Sequence, residues 1–166
     1  INILLMKIRE AKISDIDNLS SLFNSYRMFY GKDSNLGVAK KFLESRIKLC
    51  DSKIYVSEVD QCLTGFVQLY PIFSSTRVSK YWLLNDLFVD ANERGRGYSK
   101  HLINKAKDLV KDTSACGMML ETDKTNNIGN NLYPSQGFKK NIASNFYEWI
   151  PNSVSYTHLT LPTMFE

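Results

Sequence analysis

The sequence predicts a three-layer α/β domain, with a central mixed, mostly antiparallel sheet and helices on both faces. Three observations carry that expectation. Apolar patterns of period two and period 3.6 alternate in the order β, α, α, β, β, β, α, β, α, β, β, which calls for a sheet covered on both sides. Hydrophobic residues make up 43% and aromatic residues 12% of the 166-residue chain, enough to build a core. A long strand also runs directly into a Gly-rich turn and an amphipathic helix, as Leu84 to Lys100.

The elements follow in order. Residues 7–11 read as a first strand. Ser14 and Asp15 offer capping side chains for a helix whose buried stripe is Ile16, Leu19, Phe23, Tyr26 and Tyr30, ended by Gly31. A second helix spans about 35–49, with Val38, Phe42, Leu43 and Ile47 turned inward. Residues 54–59 and 63–70 form a hairpin around Asp60-Gln61, stopped by Pro71. A long strand covers 80–89. A helix over 98–111 turns Leu102, Ile103, Ala106, Leu109 and Val110 inward. A buried strand at 118–122 and a short helix at 127–135, closed by Gly137, come next. Two last strands are expected at 139–143 and 146–150.

Charge and cysteine content narrow the function. Twenty-one basic side chains stand against seventeen acidic ones, a net charge of +4, with no dense basic run. Nucleic-acid binders cluster Lys and Arg on one face, so a nucleic-acid partner is not expected. Cys50, Cys62 and Cys116 are odd in number and scattered, which argues against a disulfide framework or a zinc site and for a reducing, cytoplasmic setting. The apolar run Ile3–Met6 is too short for a signal peptide or membrane span. Met6 reads as the natural start, which puts the domain at residues 6–150. Val154 to Thr163 matches one translated frame of a transposon-type sequencing adapter. Residues 152–166 are therefore read as a non-native tail without function.

The most informative stretch is Arg94-Gly95-Arg96-Gly97-Tyr98-Ser99, where a strand passes through glycines into a helix. A helix N-terminus carries unpaired N–H groups and partial positive charge, and glycines let such amides curl around an anion. This is a phosphate cradle, to which Arg94, Arg96 and Lys100 add full charges. Two familiar nucleotide motifs fail on spacing. A dinucleotide fingerprint needs a small residue where Lys100 stands, and a P-loop needs G-x-x-x-x-G-K-[ST].

What matches is the Arg/Gln-x-x-Gly-x-Gly/Ala turn of the GNAT superfamily of N-acetyltransferases, here Arg94-x-x-Gly97-x-Ser99, with Ser99 in place of the usual Gly or Ala. Leu120-Glu121-Thr122, Asn126 and Leu132-Tyr133-x-x-x-Gly137-Phe138 resemble that superfamily's second conserved block, with Pro134 as a departure. The segment Asn85-Asp86-Leu87-Phe88-Val89 is similar to that of the spermidine/spermine-type enzymes.

The resemblance implies a GNAT-like acyltransferase fold and acetyl-coenzyme A as cosubstrate, without a metal. Main-chain groups of Leu87 and Val89, flanking Phe88, would pair with the pantetheine arm. Amides from Gly95 through Arg96, Gly97, Tyr98 and Ser99 to Lys100 would hold the pyrophosphate. Asn126 would touch the cofactor, and Tyr133 would protonate the departing thiolate. The polyamine enzymes carry an acid where this chain has Asn85; an amide is no proton acceptor, so Asp86, acting through a water, is the candidate base. Strand alternation places Asn85 and Asp86 on opposite faces. Tyr26, Arg27, Tyr30 and Tyr70 are candidates for the acceptor site, with plain packing as the competing reading.

The expected reaction is direct transfer of an acetyl group to a primary amine of a small molecule in a ternary complex. The alternatives are a catalytically degenerate coenzyme A-binding sensor and an acetyltransferase for protein lysines or N-termini. Domains of this type often pair, so a homodimer belongs to the expectation.

Overall fold

The computed structural model describes residues 5–151. Among them, five strands form one sheet in the order β1 (Met6–Glu10), β2 (Lys53–Val59), β3 (Cys62–Ser74), β4 (Ser79–Val89) and β5 (Met118–Met119). All neighbours are antiparallel except β4 and β5. Helices α1 (Ile16–Phe29) and α2 (Leu36–Leu49) cover one face. Helix α3 (Tyr98–Asp112) covers the other, and α4 (Asn127–Ser135) follows β5. The three-layer expectation holds.

Each face has its own core. Leu19, Phe23, Ala39 and Leu43 of the helix pair meet Val56, Phe66 and Phe88 of the sheet. On the far side Leu102, Ala106 and Leu109 of α3 meet Val67, Leu69, Trp82 and Leu84. Strand alternation sends Val56 and Phe66 to one core and Tyr55 and Val67 to the other.

Several details depart from the sequence reading. Asp15 does not cap α1 through its side chain. Its carboxylate instead takes the Arg9 guanidinium at 2.7 and 2.8 Å and the Lys12 N–H at 2.7 Å, tying the helix start to β1. On α2 the innermost residues are Ala39 and Leu43, while Val38 is exposed. Pro71 does not stop β3: the ladder to β2 ends at Lys53–Leu69, so beyond it β3 has only β4 as neighbour and a missing N–H is tolerated.

Strand β5 is two residues long rather than five. The strands expected at 139–143 and 146–150 do not form: no strand follows α4 among the described residues. Phe146, Tyr147, Trp149 and Ile150 lie exposed instead. The adapter-like stretch falls outside the described residues. No helix among the described residues is long and apolar enough to cross a membrane.

Candidate active site

The site begins with a fault in β4. Leu69 pairs with Leu84 but Gln68 pairs with Asp86, so Asn85 is an extra residue, a β-bulge. The bulge shifts the alternation by one. Trp82 and Leu84 face α3 before it; Leu87 and Val89 face α3 after it, while Phe88 joins the opposite core. The backbone shifts with the side chains. The Asp90 N–H donates to Thr64 O on β3, so the N–H groups of Val89 and Leu87 point to the other edge.

That edge has no strand on it. β4 and β5 pair only at Trp82–Met118 and Leu83–Met119, then separate. The wedge between them is a cavity of about 340 Å³, walled by Leu87, Phe88 and Val89 on one side and by Asn126, Ile128, Gly129, Leu132 and Tyr133 on the other. Tyr26, Phe29 and Tyr30 from the end of α1 close it, and Gly95, Gly97, Tyr98 and Ser99 form its mouth. Its volume is at the low end of ligand sites, about 300–1,000 Å³, which suits the arm and acyl end of a carrier whose nucleotide stays outside.

At the mouth the chain takes left-handed turns at Gly95 (φ +80°) and Gly97 (φ +84°). An added Cβ would meet nothing within 4 Å at either position, so it is the φ angle that calls for glycine. Among the described residues, no protein acceptor takes the N–H groups from Gly95 to Lys100; the first to be taken is that of His101, by Gly97 O at 3.3 Å. Six consecutive donors are thus open at the N-terminus of a 15-residue helix. The flanking cations are less available than expected. Arg94 donates from Nε to Val89 O at 3.1 Å and stacks over Phe29 and Phe88, strapping the turn to the end of β4. Arg96 pairs with Glu93 at 2.8 Å. Lys100 is exposed.

Helix α4 carries Tyr133 and fixes it at both ends. Asn126 caps its start: Oδ1 accepts from Gly129 N at 3.1 Å, and Nδ2 donates to Thr122 Oγ1 at 3.0 Å. At the other end the Phe138 N–H reaches Tyr133 O at 3.1 Å and the Gly137 N–H reaches Pro134 O at 3.0 Å, with Gly137 at φ +88°. This pair of bonds is a Schellman motif, and its usual apolar contact is here the edge-on packing of Phe138 on the Tyr133 ring, centroids 5.8 Å apart. The Leu-Tyr-x-x-x-Gly-Phe spacing is therefore a helix stop that aims a tyrosine. Pro134 falls in the last turn, where it interrupts little. Burial pushes the Tyr133 phenol up to about 12, with Tyr30 adding to the effect.

Beside the cavity lies a buried polar cluster. Asp86 is only 5% exposed, and burial raises its carboxyl above the ordinary range; hydrogen bonds from Tyr26 and Asn85 oppose that rise. Asn85 Nδ2 lies 3.0 Å from Asp86 Oδ1, which overturns the expectation that the two face opposite sides, because the bulge breaks the alternation. Burial, then Asp86, raises the phenols of Tyr26, Tyr30 and Tyr70. Tyr26 connects the two regions: it lines the cavity, and its phenol lies near enough to Asp86 for each group to shift the other's titration.

Of the predicted site residues, Leu87, Phe88, Val89, Arg94, Gly95, Gly97, Tyr98, Ser99, Asn126, Tyr133, Tyr26 and Tyr30 meet around one cavity. Asn85, Asp86, Arg27, Tyr70, Arg96 and Lys100 are outside its lining. The sequence reading missed Phe29, Ile128 and Gln68. Ile128 is an apolar residue exposed in the first turn of a helix, and Gln68 is a polar residue in an apolar strand, fully buried, its Nε2 donating to Tyr70 Oη at 2.9 Å. No group of three or more side chains suited to a metal ion occurs among the described residues.

A bulged strand splayed from its parallel neighbour, opening onto a turn of free amides, is the arrangement of an acetyltransferase. The model of the acetyltransferase (GNAT) family matches residues 19–138, and the chain belongs to that family. Over 138 residues it is 38% identical to the uncharacterized N-acetyltransferase YhfO of Bacillus subtilis, covering 83% of this chain and 93% of that protein. A solved structure described as a probable acetyltransferase superposes with a TM-score of 0.84 at 34% identity, covering 89% of this chain and 99% of the other. A predicted acetyltransferase from Clostridium acetobutylicum, solved with acetyl-CoA, shares the fold at 15% identity and a TM-score of 0.71, covering 87% and 96%.

Proposed function

We propose that this acetyltransferase moves the acetyl group of acetyl-coenzyme A directly to a primary amine of a small molecule, in a ternary complex. The observation that carries the reading is the continuous path from six open amides at Gly95–Lys100, past the unpaired edge of Leu87 and Val89, to the hydroxyls of Tyr133 and Tyr26. The amides fit a diphosphate and the edge fits an amide-bearing arm. The fold relative solved with acetyl-CoA supports the same cosubstrate here.

The residues then divide the work. The N–H groups of Leu87 and Val89 face the arm, and one of them polarises the thioester carbonyl, a contribution of about 3–4 kcal/mol for a fixed donor. The Val89 carbonyl on that edge already accepts from Arg94 Nε, which leaves the Val89 N–H as the main-chain group there that faces the arm. Asp86 takes the proton of the attacking amine through a water, with Asn85 Nδ2 holding the carboxylate at 3.0 Å and Tyr26 lying between it and the cavity.

Tyr133 faces the departing sulfur. With its phenol near 12 against roughly 8.5 for a free thiol, complete proton transfer runs uphill. Its contribution is a hydrogen bond that strengthens as charge builds on sulfur. Polyamines enter the acceptor panel through the resemblance of residues 85–89, beside other small amines, because Asn85 stands where the polyamine enzymes carry an acid. Three exposed, free cysteines suit the reducing cytoplasm.

Coenzyme A release from acetyl-coenzyme A is the test, run without acceptor, with spermidine and other small amines, and with lysine-bearing peptides. The expected result is amine-dependent release with at least one small amine. Release with peptides alone, or binding without turnover, contradicts the reading.

A further inference from the structure

We propose that Gln68 is a positioning residue of the transfer: its side-chain oxygen accepts the hydrogen that Asp86 carries once the attacking amine has given up its proton. This role rests on the reading of Asp86 as the base and adds the group that receives its acid form. Gln68 and Asp86 are Cα partners across the β3–β4 ladder, beside the bulge. Directly opposed side chains share a face and start about 4.5–5.5 Å apart at Cβ. Both are buried, Gln68 at 0% and Asp86 at 5% exposure. The neighbours of Gln68 along β3, Phe66, Val67 and Leu69, are core, so a glutamine there is not explained by packing.

The amide nitrogen of Gln68 is committed. Nε2 donates to Tyr70 Oη at 2.9 Å and to Ser52 Oγ at 3.3 Å, so the amide cannot turn over without losing both bonds. The Oε1 atom has no donor on it among the described residues. A buried acceptor left unpaired is costly and calls for a use. Contact with substrate is not that use, because Gln68 is fully buried and outside the cavity lining. Asp86 supplies it. An ionised carboxylate offers only acceptors, as Gln68 Oε1 does, and the two repel. A protonated carboxyl has an O–H to donate, and one proton between the two groups satisfies both.

In the transfer the amine nitrogen bonds to the acyl carbon, and the electron pair of the carbon–sulfur bond leaves with sulfur. The N–H bond breaks toward a water, which passes a proton to Asp86 and ends as water. The new O–H then bonds Gln68 Oε1 until solvent takes the proton. The other groups nearby do not replace this contact. Asn85 Nδ2 is a donor and serves the ionised form. Tyr26 and Tyr30 on α1 and Tyr70 on β3 stay protonated, each raised by burial and then by Asp86, and Tyr133 on α4 acts on Tyr26. Tyr70 Oη already accepts from Gln68. Arg46 of α2 and Asp51, the charges that act on Tyr70 beside Asp86, pair with each other at 3.3 Å. Burial favours the neutral carboxyl, and a hydrogen bond to the neutral form acts in the same direction.

The test is the titration of Asp86 in the free protein, followed by carbon NMR of chains labelled at the aspartate carboxyl, with the signal assigned by its absence from Asp86→Asn. Gln68→Met keeps the length of the side chain and removes the oxygen. It is expected to lower the proton affinity of Asp86 about tenfold, the worth of one hydrogen bond, and to move the kcat/KM inflection to lower pH by the same amount. Gln68→Glu keeps an oxygen in place and adds a second buried carboxyl, so the pair should hold its last proton to higher pH than the parent. Thermal unfolding checks that both variants fold. An unchanged Asp86 titration in Gln68→Met, or a shift to lower pH in Gln68→Glu, overturns the proposal while the parent's inflection keeps Asp86 as the base. A parent without that inflection removes Asp86 as the base, and the role of Gln68 in the transfer with it.

Discussion

Tyr133→Phe is expected to lower kcat by about 100-fold while leaving the affinity for coenzyme A nearly unchanged, which is the signature of a donor used only as charge develops. Helix α4 holds the phenol in place. Its cap at Asn126 and its stop at Gly137 hold the backbone, and Phe138 holds the ring, so removing one oxygen changes the chemistry without changing the pose. The phenol is kept protonated by burial, so its effect is that of a hydrogen bond to sulfur and sits at the lower end of what acid catalysis delivers. Steady-state kinetics beside a direct binding measurement separate the two quantities. An unchanged kcat removes Tyr133 from this role, and a parallel loss of affinity makes it a cofactor contact.

Asp86→Asn is expected to cost more, about 1,000-fold in kcat/KM, since it removes the proton acceptor itself. Its sign in stability is the opposite of its sign in activity. The folded carboxyl titrates above its unfolded value because burial opposes its charge. The stability this group contributes is therefore full below the unfolded pKa, near 4, and falls as pH rises through the folded one. At neutral pH the amide lifts that cost while keeping the size of the side chain. The variant should thus be at least as stable as the parent at pH 7 by thermal unfolding, yet almost inactive. The parent's kcat/KM should rise with pH through an inflection above the ordinary carboxylate range, and that inflection should be missing from the variant's residual rate. A variant that is destabilised, or that keeps the inflection, would remove Asp86 as the base.

The sequence made some parts of this molecule legible and hid others for definite reasons. Helix α3 could be read because Leu102, Ile103, Ala106 and Leu109 repeat at helical spacing and all end up buried. The amide turn could be read because left-handed φ angles at Gly95 and Gly97 leave few other residue choices. The bulge at Asn85 could not, since an inserted residue looks like any other strand residue until its partner strand is known; with it went the relation of Asn85 to Asp86. Pro71 misled because its cost depends on whether a strand lies on its N–H side, a tertiary fact. The last two strands were predicted from β-forming residues alone, and such a run becomes a strand only if it meets a partner, which periodicity does not reveal; none pairs with it among the described residues. Gln68 and Phe29 carried no periodic signal that distinguishes a site from a core.

Cofactor binding at this site requires that the amides between Gly95 and Lys100 grip a diphosphate. Nitrogen–proton correlation spectra of the labelled protein, titrated in parallel with coenzyme A and with pantetheine, address it directly. Coenzyme A should move the Gly95, Arg96, Gly97, Ser99 and Lys100 signals strongly, and pantetheine should leave them in place while moving Leu87 and Val89. Saturable binding of coenzyme A that leaves the Gly95–Lys100 amides unmoved would contradict it.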